Sequence, residues 1–444
     1  MRKKILPFVI ASCSAVASFG QAVYCDKVIG GYVANWEDAT NVNYNQLTHA
    51  FYAFIGSDAM GNLCTYEGNG TANATVMPKL EDRPAILATW NKFLDGCNAA
   101  KTKKIISIGG YGCDIHMNGM GASSTATANF VTQLMAFVDK YSLQGVDLDW
   151  EDVAPEHTAN YRNVYNALRT ACTAKGKLLI CTVVTGYRAP NFPHNEMKSA
   201  DFVQLMAYDQ TATWPASPAG NHSTIAHANE GITKWAGFGI VKSKLVLGLP
   251  FYGYQQRNSV DGSTNGAKTK DWTYKAFVAA YPSLGDVDNH NLGTETIGLN
   301  GQTTIKAKTA IGYTDLKGVM VWEMTNDLPY TNAKSLHLAI IQKMKELCPS
   351  GTGNTTSIHD ITGPVAISYY SSESSQVRVS IAKQGRVKVS LTTLLGQEVL
   401  ARDLGSVSAG DYGVAIDKTV FKSGVYIVTV SVDEQQVNSK IYIE

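Results

Sequence analysis

The chain has 444 residues, 45% of them hydrophobic and 17% charged, with 38 basic side chains against 37 acidic ones. That length exceeds the needs of one ordinary domain, and the composition is that of a folded, soluble protein, so one large unit and a smaller one are expected. A near-neutral balance lacks the basic surface that nucleic acid requires, and no such partner is expected.

The N-terminus begins Met1-Arg2-Lys3-Lys4, continues through an apolar run over 5–19 and reaches small residues at Ser18, Gly20 and Ala22. This pattern predicts a secretory signal peptide over 1–22. Its removal would take the basic count from 38 to 35 against 37 acidic residues, a net of about −2. No other run is long enough to span a membrane. Of the eight cysteines, Cys13 would leave with the signal, and the remaining seven imply at least one free thiol. Cys181, inside an apolar run, is expected in the core, and Cys64 with Cys97 are candidates for a disulfide. Neither His-Glu-x-x-His nor paired Cys-x-x-Cys spacing occurs, so no metal and no cofactor are expected.

Along the chain, eight short apolar, β-rich runs fall at 28–33, 47–54, 104–108, 145–150, 178–184, 202–207, 245–249 and 318–322. Helical spacing of apolar residues occurs at 84–100, 128–141, 158–174, 224–238 and 334–347. The alternation predicts an α/β fold, a (β/α)8 TIM barrel over 23–348. A polar, flexible linker follows at 349–358. Beyond it, Val377-Arg378-Val379-Ser380-Ile381, Val387-Lys388-Val389-Ser390-Leu391 and Val425-Tyr426-Ile427-Val428-Thr429-Val430 alternate apolar and polar residues between glycine turns, predicting a small all-β sandwich over 359–444.

The most informative segment is Gln144-Gly145-Val146-Asp147-Leu148-Asp149-Trp150-Glu151. Side chains alternate along a strand, so Asp147, Asp149 and Glu151 share one face at steps of roughly 6.6 Å. In a barrel whose strands are buried on both faces, these carboxyls point into the mouth. Crowded like charges in a partly dry cleft do not all ionise, which makes Glu151, at the strand end, a candidate proton donor near neutral pH. A divalent metal site is the rival use of three carboxyls, but the nearby aromatic residues suit sugar stacking better.

The segment resembles the Asp-Gly-x-Asp-x-Asp-x-Glu signature of family 18 glycoside hydrolases, the chitinase family. Further marks recur in order: Gly31-Tyr32 and Trp36 on the first strand, Ser107-Ile108-Gly109-Gly110 on the third and Met206-Ala207-Tyr208-Asp209 on the sixth. Gly248-Leu249-Pro250-Phe251-Tyr252-Gly253 resembles the seventh-strand pattern and Gly318-Val319-Met320-Val321-Trp322 the eighth. One position departs, since Gln144 stands where the signature's first Asp belongs, and altered packing or pKa tuning is expected there. The resemblance implies that Glu151 is the general acid, that Asp149 orients the substrate's acetamido group and that Asp147 and Tyr208 support it. It also implies retention of configuration through substrate assistance, the N-acetyl oxygen acting as the nucleophile. Tyr32, Trp36, Ser107, Gly109, Gly110, Met206, Asp209, Trp214 and Trp322 are the expected substrate-binding residues.

The implied function is hydrolysis of β-1,4 linked N-acetylglucosamine polymers such as chitin. The alternatives are an endo-β-N-acetylglucosaminidase releasing N-glycans from glycoproteins and a non-catalytic lectin of the same fold. Only about 64 residues separate Tyr254 from Gly318, which predicts no full insertion domain and a shallow, endo-acting cleft. The C-terminal region resembles the sorting domain of the bacterial type IX secretion system rather than a carbohydrate-binding module, because every tryptophan lies at or before Trp322. The expected protein is therefore monomeric, secreted or at the cell surface, with a chitin or N-acetylglucosamine oligosaccharide and the secretion machinery as partners.

Overall fold

The structure, a computed structural model, describes residues 24–67, 75–212, 217–258 and 268–348. In the C-terminal part it describes 365–371, 376–381, 384–393, 396–408, 410–415, 424–433 and 435–443. The predicted signal peptide, Trp214 and the predicted linker lie outside these residues. The chain divides into two compact units between Cys348 and Pro349.

Eight parallel strands form the first unit: β1 Val28–Ala34, β2 His49–Ser57, β3 Lys103–Gly109, β4 Gly145–Asp149, β5 Leu178–Val184, β6 Phe202–Met206, β7 Leu245–Pro250 and β8 Gly318–Trp322. Each pairs with its neighbours in chain order, and β1 closes the ring by pairing with both β2 and β8, Val28 opposite Gly318. Closure leaves no barrel edge. Interior side chains such as Phe51, Ile105, Ile180, Phe202, Val246 and Met320 fill the centre, and the outward faces pack on the helices in a second, larger core.

The helices follow their apolar spacing. In Thr158–Ala174 the buried residues are Tyr161, Val164, Tyr165, Leu168 and Cys172, one stripe at three- and four-residue steps. Ser124–Lys140 starts earlier than its apolar pattern because the Ser123 hydroxyl caps it by accepting from the Ala126 N–H. The expected eightfold alternation is incomplete. Between β1 and β2 lie only two 3₁₀ turns, and after β5 a four-residue helix, His194–Met197.

A correction concerns the region after β7. Four antiparallel strands, Tyr252–Arg257, Lys268–Thr273, Asn289–Asn291 and Glu295–Gly298, with the helix Tyr274–Ala280, build a compact inserted sheet. Its strands are short and mostly polar, which hid them from apolar periodicity.

Cysteine pairing also differs from expectation. Cys25 is bonded to Cys348, 323 positions away, whereas Cys64 and Cys97 are both free and buried. The bond joins the start of the barrel chain to the end of its last helix, Leu336–Leu347.

The second unit is all β. A three-stranded sheet (Val365–Ser371, Gln376–Ile381, Gly410–Ala415) accompanies a four-stranded one (Glu398–Val407, Gly385–Thr393, Gly424–Val432, Gln435–Ile443). Val387, Val389 and Leu391 face Val432, Val430 and Val428 across the ladder, and all six are buried. The period-two pattern therefore supplies this unit's core directly.

Candidate active site

The barrel registers β3, β4 and β5 so that Ser107 lies beside Asp147, Gly109 beside Asp149, and Asp147 beside Ile180. Asp147 is fully buried. Its carboxylate accepts from the Tyr32 hydroxyl at 2.7 Å, the Ser107 hydroxyl at 2.7 Å and the Thr182 hydroxyl at 2.8 Å. Gln204, buried on β6, donates its amide to both Tyr32 and Thr182. Burial pushes the Asp147 carboxyl up to about 6, and the three hydroxyl donors limit the rise.

Asp149 has no such support. Its Oδ1 is buried with no hydrogen-bond partner among the described residues. Burial raises its pKa well above the usual carboxylate range, reinforced by the charges of Glu151, Asp147 and Asp114. Glu151, just beyond the end of β4 and half-buried, is pushed up to about 8 by burial, then by Asp114 and Asp209, against one stabilising hydrogen bond from the Tyr111 backbone N–H. Burial therefore favours the neutral form of Asp149 and Glu151, while the three hydroxyl donors favour the ionised form of Asp147, and the trio titrates as one coupled group.

The turn after β3 lets this happen. Gly109 and Gly110 adopt φ +115° and +86°, and a Cβ on Gly109 would lie 2.3 Å from the Asp149 carbonyl oxygen. That oxygen accepts from the Gly110 N–H at 2.7 Å. A side chain at Gly109 would displace the acidic strand, and one at Gly110 would run into the Phe54 ring at 2.7 Å.

From β6, Tyr208 is buried and its hydroxyl pKa is raised by burial and by Asp149, Asp209 and Glu151. Asp209 follows in a left-handed conformation, φ +60°. It accepts from Tyr252 at 2.6 Å and Tyr254 at 2.8 Å, both on the inserted sheet, and faces the His222 ring at 3.3 Å. Burial opposes ionisation of Asp209, but His222 and the two tyrosines hold its carboxyl below the usual range. The inserted sheet therefore reaches the site as well as bordering it.

Aromatic rings surround the mouth. Trp322 packs edge-on to Tyr32 at 5.4 Å and stacks on Phe54 at 5.6 Å, and Trp36 tilts over it at 6.4 Å with half its surface exposed. Tyr111 and Tyr187, after β3 and β5, are exposed too. Met206 is half-buried and packs against the barrel interior.

Three expectations change. Tyr32 and Ser107 lie beneath Asp147 instead of on the cleft surface, because an ionised buried carboxylate draws the nearest hydroxyls to itself. Gln144 sits at the opposite end of β4, where its side-chain oxygen accepts from the Lys104 N–H at 2.8 Å, so its effect is on packing and not on the acids. Sequence reasoning also missed Thr182, Gln204, Tyr252, Tyr254 and His222. Thr182 and Gln204 point inward side by side from the neighbouring strands β5 and β6, a cue available from polar residues inside apolar runs.

Residues 28–327 match the model of glycosyl hydrolases family 18. The chain belongs to this family. It is 29% identical over 284 residues to a protein described as "Probable endochitinase" from Caenorhabditis elegans, covering 54% of this chain and 45% of that protein, so the match spans less than half of that relative. Among solved structures, the family 18 chitinase ChiB from the chitin utilization locus of Flavobacterium johnsoniae aligns with TM-score 0.58 at 24% identity, over 72% of this chain and 94% of that one. A chitinase-like agglutinin from Robinia pseudoacacia aligns comparably, TM-score 0.57 at 22% identity, over 71% and 99%. The family 18 fold accommodates both names. Residues 373–444 match the secretion system C-terminal sorting domain, which marks the chain for export to the cell surface or beyond.

Proposed function

We propose that the protein is a secreted chitinase that hydrolyses β-1,4 linked N-acetylglucosamine polymers with retention of configuration. The observation that carries this reading is Glu151, whose proton is kept to about pH 8 at the end of the acidic strand in an aromatic-rimmed mouth. A carboxylic acid protonated at working pH can protonate a leaving glycosidic oxygen, then serve as base toward water. In the ordinary retaining reaction a second carboxylate attacks the sugar. Here burial favours the neutral form of Asp149, and Asp147 is buried among hydroxyl donors, which favours attack by the substrate's own acetamido oxygen. Asp149 would then pass its proton to Asp147, and the carboxylate so formed would accept from the acetamido N–H and balance the positive charge that develops there. Tyr208 would donate a hydrogen bond to the acetamido carbonyl. Trp322 supplies an apolar floor for the sugar ring, and Trp36 a neighbouring stacking face.

A lectin needs no proton donor of this kind, and Glu151 argues for turnover. The deciding experiment incubates the protein with N-acetylglucosamine oligomers and, separately, with a glycoprotein carrying N-glycans. Shortened oligomers with retained anomeric configuration are expected. Release of intact glycans with oligomers untouched would assign the endo-β-N-acetylglucosaminidase activity instead, and binding without cleavage of either would assign a lectin.

A further inference from the structure

Residues 151–153, beyond the end of β4, have no regular secondary structure, so no ladder fixes Glu151 at their head. The two residues that follow it are tied to neighbouring loops, and Glu151 itself lies within the electrostatic reach of Tyr111 and Asp114 after β3. The Asp152 N–H donates to Asp114 Oδ1 at 3.0 Å, and Arg188 Nε, after β5, donates to Asp152 Oδ1. The Val153 carbonyl accepts from Asn191 Nδ2 at 2.8 Å. We propose that Asp114 and Arg188 are positioning residues for Glu151, clamping the segment 151–153 between the loops that follow β3 and β5.

The pair's exposure supports this assignment. Arg188 and Asp152 side chains are 24% and 45% exposed, and an ion pair so open to water adds little to stability. What it fixes is geometry, because Arg188 Nε directs the Asp152 side chain while Asp114 holds the Asp152 peptide from the other side. The charges act together as well. Glu151 is faced by Asp149 and Asp152 from its own segment, by Tyr111, Cys113 and Asp114 after β3, and by Tyr208 and Asp209 after β6. Arg188 is the cation paired with this acidic group, and its guanidinium also lies over the Tyr187 ring at 4.8 Å. Asp114 favours the protonated acid, and Arg188 offsets the Asp152 charge next to it.

This inference rests on the reading of Glu151 as the general acid, and its test separates the two. The titration of Glu151 is followed without substrate, by the infrared carboxyl band that disappears in Glu151→Gln. Asp114→Asn keeps an oxygen for the Asp152 N–H but removes the charge, and should move that titration down by about one pH unit. Arg188→Met should move it up and lower kcat on N-acetylglucosamine oligomers about tenfold with KM within about threefold, and Arg188→Lys should return the titration toward wild type. The proposal is overturned if the folded Asp114→Asn and Arg188→Met proteins titrate as wild type does. Wild-type protein that cleaves no oligomer would refute the functional reading, while the titration would still judge the clamp.

Discussion

The Tyr32 hydroxyl on β1 reaches across the barrel interior to donate to Asp147 on β4 at 2.7 Å. With Ser107 and Thr182 occupying the same carboxylate, the negative charge of the acidic strand has a fixed seat at its deepest member. Burial then favours the protonated form of the two carboxyls above it, Asp149 and Glu151, and a proton on Glu151 is what general acid catalysis draws on.

Replacing Glu151 by Gln removes the transferable proton while preserving shape. We expect kcat on chitin oligosaccharides to fall by about 10³-fold, within the range for loss of a general acid, with binding retained. Calorimetric titration beside a product assay checks both, and near-normal turnover would reject the assignment.

The pH–rate profile should be bell-shaped. Activity requires Asp147 ionised and Glu151 protonated, so the limbs should lie near 6 and 8 as properties of the coupled group. Both folded values lie above those of an unfolded chain, about 4. The stability these groups contribute is therefore complete below that pH and is lost as pH rises through 6 and then 8. Glu151→Gln should accordingly raise Tm more at pH 9 than at pH 5, measured by calorimetry. An equal shift at both would show that Glu151 titrates normally.

Tyr208→Phe deletes one hydroxyl from a buried ring that stands at 6.0 Å from Tyr252. The expected result is a kcat about ten- to a hundredfold lower with KM little changed, because the hydrogen bond matters most where charge develops. An unchanged kcat would remove Tyr208 from the chemistry.

Deleting 349–444 should leave the kinetics of the barrel unchanged, since the two units have separate cores, and should abolish delivery to the cell surface. Fractionation of cells expressing the truncated chain, with kcat/KM on the purified product, tests both halves. Loss of chitin binding in the truncated protein would reassign the tail as a binding module.

The fold was legible in the sequence wherever apolar patterning was strong. All eight barrel strands coincide with apolar runs, and the alternating valines around 387–391 and 428–432 supply the second core. The acidic strand was legible because three carboxyls at two-residue spacing share one face inside a closed barrel, and the aromatic residues nearby favoured sugar over metal. What escaped were relationships between distant segments. Cys25 and Cys348 give no local sign of one another, and Asp114, Asp152 and Arg188 come together only because parallel strands place their following loops side by side. The inserted sheet escaped for a different reason: polar edge strands such as Lys268–Thr273 carry no apolar period.

The sulfur bridge at the barrel's two ends has a consequence for the protein's life outside the cell. With Cys25 stitched to Cys348, the catalytic unit can unravel from neither terminus, and a pull exerted through the tail meets a covalent seam before it meets the last helix. Among the described residues the five other thiols are buried inside the fold and offer the seam no competitor. Because such bonds persist only under oxidising conditions, the lock closes after the polypeptide has left the reducing compartment where it was made, and the enzyme is fastened shut where it is to work.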